Sequence, residues 1–253
     1  MLEPKANRKP RRQVLLLPGL LLGLAFAGIA SPARAQEPYA TEPIAAKASV
    51  YLPQSLVDGL DPNGLRLTIP VNGLKTTVCE LWLAKTVSTH ESSPGPGILY
   101  GNLKVGEFVG VIHYVPESSE DIREDFRDQK LRAGYYTMRY AQMPEDKAHK
   151  DVNPYRDFVL LSPVSVDRDP AAVPGMDELL RLSRFASRTR HPAVMSLVPV
   201  DPSQKQSPAL RTDDAGTCIL QVKLHAQPDT GGSSQDLSLA MILVTPVKET
   251  GES

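Results

Sequence analysis

Along most of this chain apolar and polar side chains alternate at every second position. That is the period of a strand with one face in a core and the other in solvent. The alternation predicts strands over 65–71 (LRLTIPV), 78–87, 107–115, 135–143, 157–166, 192–200, 218–226 and 237–247. Pro163, Pro199 and Pro246 stand near the ends of three of these runs, where a missing N–H costs no ladder bond. One segment changes period. Met176, Leu179, Leu180, Leu182 and Ala186 recur at spacings of three and four, which predicts a helix around 175–189. Asp177 and Glu178 fall in its first turn, Arg188 and Arg190 near its last, and both pairs complement the helix dipole. Arg181, Arg184 and Arg188 share the other side, as a solvated face or as an anion-binding stripe. A series of strands with one helix and no βαβ rhythm predicts a mainly β protein, an antiparallel β-sandwich of jelly-roll-like form.

Composition supports that class. Proline supplies 23 of 253 residues, about 9% against a usual ~5%, and prolines spread this evenly disfavour long helices. The stretches 201–216 and 227–236 are polar and read as connections.

The N-terminus bears on the compartment. Lys5, Arg8, Lys9, Arg11 and Arg12 precede an apolar run from Val14 to Ile29, and Ala33-Arg34-Ala35 follows as a small-x-small cleavage pattern. Residues 1–35 therefore read as a signal peptide, 36–48 as an extended arm and 49–248 as a single domain. The expected destination is the periplasm or the extracellular space, with an uncleaved anchor as the alternative. The apolar run is short of the roughly 20 residues that cross a bilayer, and no transmembrane span is expected in the mature chain. Six of the 28 basic and one of the 29 acidic side chains lie in residues 1–35, leaving 22 and 28, a net charge of −6. Such a surface repels phosphate backbones, so no nucleic-acid partner is expected.

Cys79 and Cys218 both sit in alternating apolar segments, and a disulfide between them suits an exported protein. Two buried thiols that never meet are the alternative. Without a CxxC motif, neither a zinc knuckle nor a thioredoxin-like centre is supported.

Signatures of known chemistry are missing: the chain holds no GxSxG, P-loop, GxGxxG, HExxH or EF-hand loop. The candidate surface is the connection 143–157, with Glu145, Asp146, His149, Asp151, Asn153, Arg156 and Asp157. Asp146 and His149, joined by His191, make a conceivable divalent-metal shell, although the spacing matches no rigid ligand motif. An ordered polar loop with an exposed His149 explains the same residues. His191 caps the helix end before Pro192, and His113 reads as a surface histidine on a strand. Gly134 stands where the chain turns with positive φ ahead of alternating Tyr136, Met138 and Tyr140.

Leu131 to Pro163 resembles an uncharacterised family of exported bacterial proteins. The shared pattern is G-x-Y-T-x-R-Y, then P-x-D-x-x-H, then R-D-F-x-L-L-x-P, and SRFASRTRHPAVMSL is similar to a later His-Pro segment of that family. The resemblance implies a β-sandwich-like fold and no established activity. Taken together, the sequence points to a non-enzymatic envelope protein that binds a ligand or partner through Arg139, Asp146, His149, Arg156 and His191, with no cofactor. A metal-binding protein or metal-dependent enzyme, and a structural subunit pairing through strand edges, are the competing readings.

Overall fold

The computed structural model describes residues 39–45, 48, 51–71, 73–116, 125, 129–145 and 153–245. The chain from Glu37 onward forms one compact unit. Its elements in order are β1 (Ala40–Ile44), α1 (Gln54–Gly59), β2 (Gly64–Val71), β3 (Leu74–Leu83), β4 (Val87–Thr89) and β5 (Phe108–Tyr114). There follow β6 (Gly134–Gln142), β7 (Asp157–Pro163), α2 (Met176–Ser187), β8 (Ala193–Val198), β9 (Ala209–Thr212), β10 (Cys218–Pro228) and β11 (Gln235–Val244). The protein is mainly β, as the alternation predicts.

The 11 strands join in one sheet, ordered β1-β2-β3-β5-β6-β7-β8-β11-β10-β4, with β9 paired to β10. Every pairing is antiparallel except the short β10–β4 contact. Up to β8 the strands follow one another as a meander, β4 alone stepping out of line. The two ends of the path share a core. Cys79 and Leu81 of β3 belong to the same buried cluster as Cys218, Leu220, Val222 and Leu224 of β10.

Local chemistry explains where the sheet bends. Gly110 has φ 154°, and a Cβ there would lie 2.3 Å from the carbonyl oxygen of Trp82. Only glycine permits that approach, and the β5–β6 register shifts beside it. Gly134 opens β6 at φ 147°, the positive φ expected from its place in the sequence.

Three expectations change. The segment read as an arm contributes β1, an edge strand paired with β2 from Ala40↔Thr68 to Ile44↔Gly64. The run 78–87 is two strands, because the chain leaves the sheet at Lys85, whose N–H bonds to the Gly59 carbonyl at 2.9 Å. Cys79 and Cys218 are not joined in a disulfide; both are thiols. Both are wholly buried and pack as small apolar side chains. Burial pushes the Cys79 thiol up, and the neighbouring Cys218 and Glu80 add to the shift.

Helix α2 lies against β7, β8 and β6 and covers a second, smaller core of Ala141, Met143, Phe158, Leu160, Leu179 and Val194. Its buried face is Leu179, Leu182, Ser183, Ala186 and Ser187. Two serines on that face look out of place until the chain beyond the helix is considered. The helix stops when Arg188 enters the left-handed region at φ 57°. No described helix is long and apolar enough to cross a membrane.

Candidate functional site

The structure separates the residues singled out in the sequence. Arg139 is completely buried. Its Nε and Nη2 donate to Asp167 at 2.6 and 2.9 Å, and its remaining donors reach the carbonyls of Gly106, Ala172 and Asp169. Thr137 donates to the same carboxylate at 2.6 Å. A guanidinium so fully engaged has nothing left for a ligand, so Arg139 leaves the set of ligand-binding candidates. Arg156 is half-buried at the base of the 143–157 connection. Its Nε donates to the Met143 carbonyl at 2.9 Å and its Nη1 to Glu145 at 3.1 Å. Asp146 and His149 lie outside the described residues. Among the described residues no group of three or more His, Cys, Asp or Glu side chains could hold a metal ion.

His113 is no simple surface histidine. Register places Arg66, Glu80, His113 and Tyr135 side by side on β2, β3, β5 and β6. His113 Nδ1 lies 3.1 Å from Glu80, and its ring stacks on Tyr135 with centroids 3.9 Å apart. Burial alone would raise the Glu80 carboxyl, but its bonds to Arg66 and His113 outweigh that and hold it below the ordinary range.

The other residues of the G-x-Y-T-x-R-Y and R-D-F segments are also taken up internally. Tyr140 donates to the buried Asp157 carboxylate at 2.6 Å, and the same carboxylate accepts the N–H groups of Leu99 and Tyr100. Burial, reinforced by the charge of Asp157, raises the Tyr140 hydroxyl. These residues tie the long β4–β5 connection to the sheet.

Of the residues singled out in the sequence, His191, Asn153 and Arg184 lie at one cavity. Between α2 and the sheet is a space of about 290 Å³. Phe158, Val194 and Ser196 form its sheet side, and Met176, Leu180 and Arg184 its helix side, at i, i+4, i+8. Met143, Pro144 and Asn153 line it from the β6–β7 connection, and Arg190, His191 and Pro192 from the turn after the helix. Its walls are mainly apolar, and its polar groups are few.

That turn is held by the two buried serines. Ser183 Oγ donates to the Ala193 carbonyl and accepts from the Ala193 N–H, both at 2.9 Å. Ser187 Oγ donates to the His191 carbonyl at 2.5 Å, and the His191 N–H bonds to Thr189 Oγ1 at 3.0 Å. Gln129 reaches the Pro192 carbonyl, while Asp125 accepts the Val194 N–H. Asn153 Nδ2 donates to Ser196 Oγ at 3.1 Å and braces the opposite wall. The backbone carrying Arg190 and His191 is therefore set before any ligand arrives.

Sequence reasoning names His191 but misses the cavity. Leu180 reads as part of the apolar side of α2 and Arg184 as part of the polar side, whereas the cavity lies along the boundary between them. The usable signal is the mixed stripe Met176-Leu180-Arg184 followed by a basic turn. In comparisons with protein-family models, curated proteins and solved structures, nothing matches this chain.

Proposed function

We propose that this chain is an exported, non-enzymatic, sandwich-like β protein of the cell envelope that binds a small ligand in the cavity beneath α2. The observation that carries the reading is the cavity itself: about 290 Å³, close to the ~300 Å³ lower end of ligand pockets, with apolar walls and a braced polar rim. The leader pattern of residues 1–35 supports export. The resemblance of Leu131–Pro163 to exported bacterial proteins supports the same compartment, with its shared polar residues serving the scaffold. Asp167 and Asp157 engage Arg139 and Tyr140, so neither of those two residues belongs to the proposed ligand surface.

The test uses the neutral, environment-sensitive dye N-phenyl-1-naphthylamine. One dye per chain is expected to bind saturably with an apolar emission shift. Leu180→Trp, which fills the cavity from its half-buried position on α2, is expected to abolish that signal without lowering the melting temperature. Saturable binding that survives Leu180→Trp, or no saturable binding to the native protein, would overturn the assignment.

A further inference from the structure

We infer that the ligand of this cavity is an amphipathic monoanion, a short apolar body ending in one carboxylate, held with its head against Arg184 and Arg190. The inference rests on the cavity being the binding site and adds the chemistry of what enters it.

Two regions of the cavity make different demands. Phe158, Leu180, Met176 and Val194 present apolar surface and have no charge to offer a polar body. A ligand that leaves water for those walls gains by burying hydrocarbon. At about 290 Å³ the space takes a medium-length chain or a compact aromatic body of two or three rings, not a two-chain lipid.

The rim demands an anion. Arg184 and Arg190 are exposed at the mouth, and among the described residues neither guanidinium has a hydrogen-bonding or ionic partner. This contrasts with Arg66, Arg139, Arg156 and Arg181, each of which faces a carboxylate of the chain: Glu80, Asp167, Glu145 and Glu178. No Asp or Glu is among the described residues that line the cavity. Two arginines beside an apolar recess, with no counter-charge among the described residues of its lining, complement a carboxylate, whose two oxygens match the planar fork of a guanidinium. The two cations come from different elements, α2 and the turn after it. The Ser183, Ser187 and Thr189 bonds fix the backbone that carries one relative to the backbone that carries the other, so binding has only the two side chains to order. A second cavity, lined by Leu81, Leu83 and Val222, is unlike this one: Asp61 faces it together with Lys223 and His225, so its charges are mixed and favour no single sign.

Octanoate, octanol and octylamine share one chain length and differ in head charge. Each is titrated against dye-loaded native protein and against Arg184→Gln/Arg190→Gln. Both arginines are exposed, so the variant is expected to keep its fold; its own dye affinity is measured first and displacement is expressed relative to it. Octanoate is expected to displace the dye about tenfold more tightly than octanol, as charge-assisted bonds to two guanidinia warrant, with octylamine weakest. In the variant octanoate falls to the level of octanol while octanol is unchanged. Equal displacement by octanoate and octanol in the native protein would overturn the head-group inference and leave the cavity assignment standing. A preference for octanoate that persists in the variant would overturn the role of these arginines. Dye that binds but yields to none of the three compounds would overturn the amphiphile itself. Failure of the dye to bind strikes the cavity assignment instead, so the two ideas fail separately.

Discussion

Arg139 shows most directly how a residue's pattern and its environment diverge. In the alternation of β6 it shares a face with Thr137, opposite the apolar Tyr136, Met138 and Tyr140, and so reads as solvent-facing. In the structure the connection after β7 folds back over that face and delivers Asp167 and the Asp169 and Ala172 carbonyls to the guanidinium. Nothing local announces this, because the covering segment lies about 30 residues further along the chain. The consequence is a stability role. Removing one partner of a buried pair leaves the other charged and unpaired, which costs about 3–5 kcal/mol. Arg139→Met is therefore expected to lose an amount of that order in urea unfolding, and adding Asp167→Asn should recover part of it. Dye affinity at the α2 cavity should stay unchanged in the refolded variant. Native stability together with lost binding would return Arg139 to the ligand site.

At the scale of elements, the strands with five or more alternating positions are legible to within a few residues. Those that are not have physical excuses. β1 contains Pro43, tolerated because the strand lies at an edge. β4 is three residues long, and β9 sits in a polar stretch that gives no period to read. Joins between elements are less visible still. The β8–β11 contact spans only Val198↔Ala240 and Leu197↔Met241. Tyr100, from the long connection before β5, supports it: its hydroxyl donates to the Val198 carbonyl at 2.6 Å and accepts the Ala240 N–H at 3.0 Å. Burial pushes that hydroxyl up to about 12, so it remains a donor at every physiological pH. Tyr100→Phe strands a buried donor and a buried acceptor, at a cost of about 1–3 kcal/mol for such a group. Thermal unfolding should register the loss, and hydrogen exchange should quicken first at the Ala240 amide. Unaltered exchange there would mean that the short ladder holds without the tyrosine.

For the molecule as a whole, the shared core between strands far apart in the sheet path decides which residues meet. Cys79 and Cys218 are 139 positions apart in the chain, yet β3, third in the sheet path, and β10, the penultimate strand, face a common core. The alternation correctly puts each cysteine on the apolar face of its own strand. It is silent on whether the faces touch, as it is on the α2 cavity, which also needs three distant segments to converge. Burial in that core also governs the chemistry of the thiols. The thiolate is the reactive form, and burial first, then Cys218 and Glu80, make it costly at Cys79. Both thiols should thus persist in an oxidising compartment and resist attack while the core is shut. A disulfide-exchange reagent is expected to titrate two thiols per chain in denaturant without reductant, and to react with the native protein only as fast as it unfolds. Rapid native reaction would mean that the ends of the sheet do not seal the core. A titre of zero in denaturant would mean that the two strands approach closely enough to be bridged, and that the protein carries the bond.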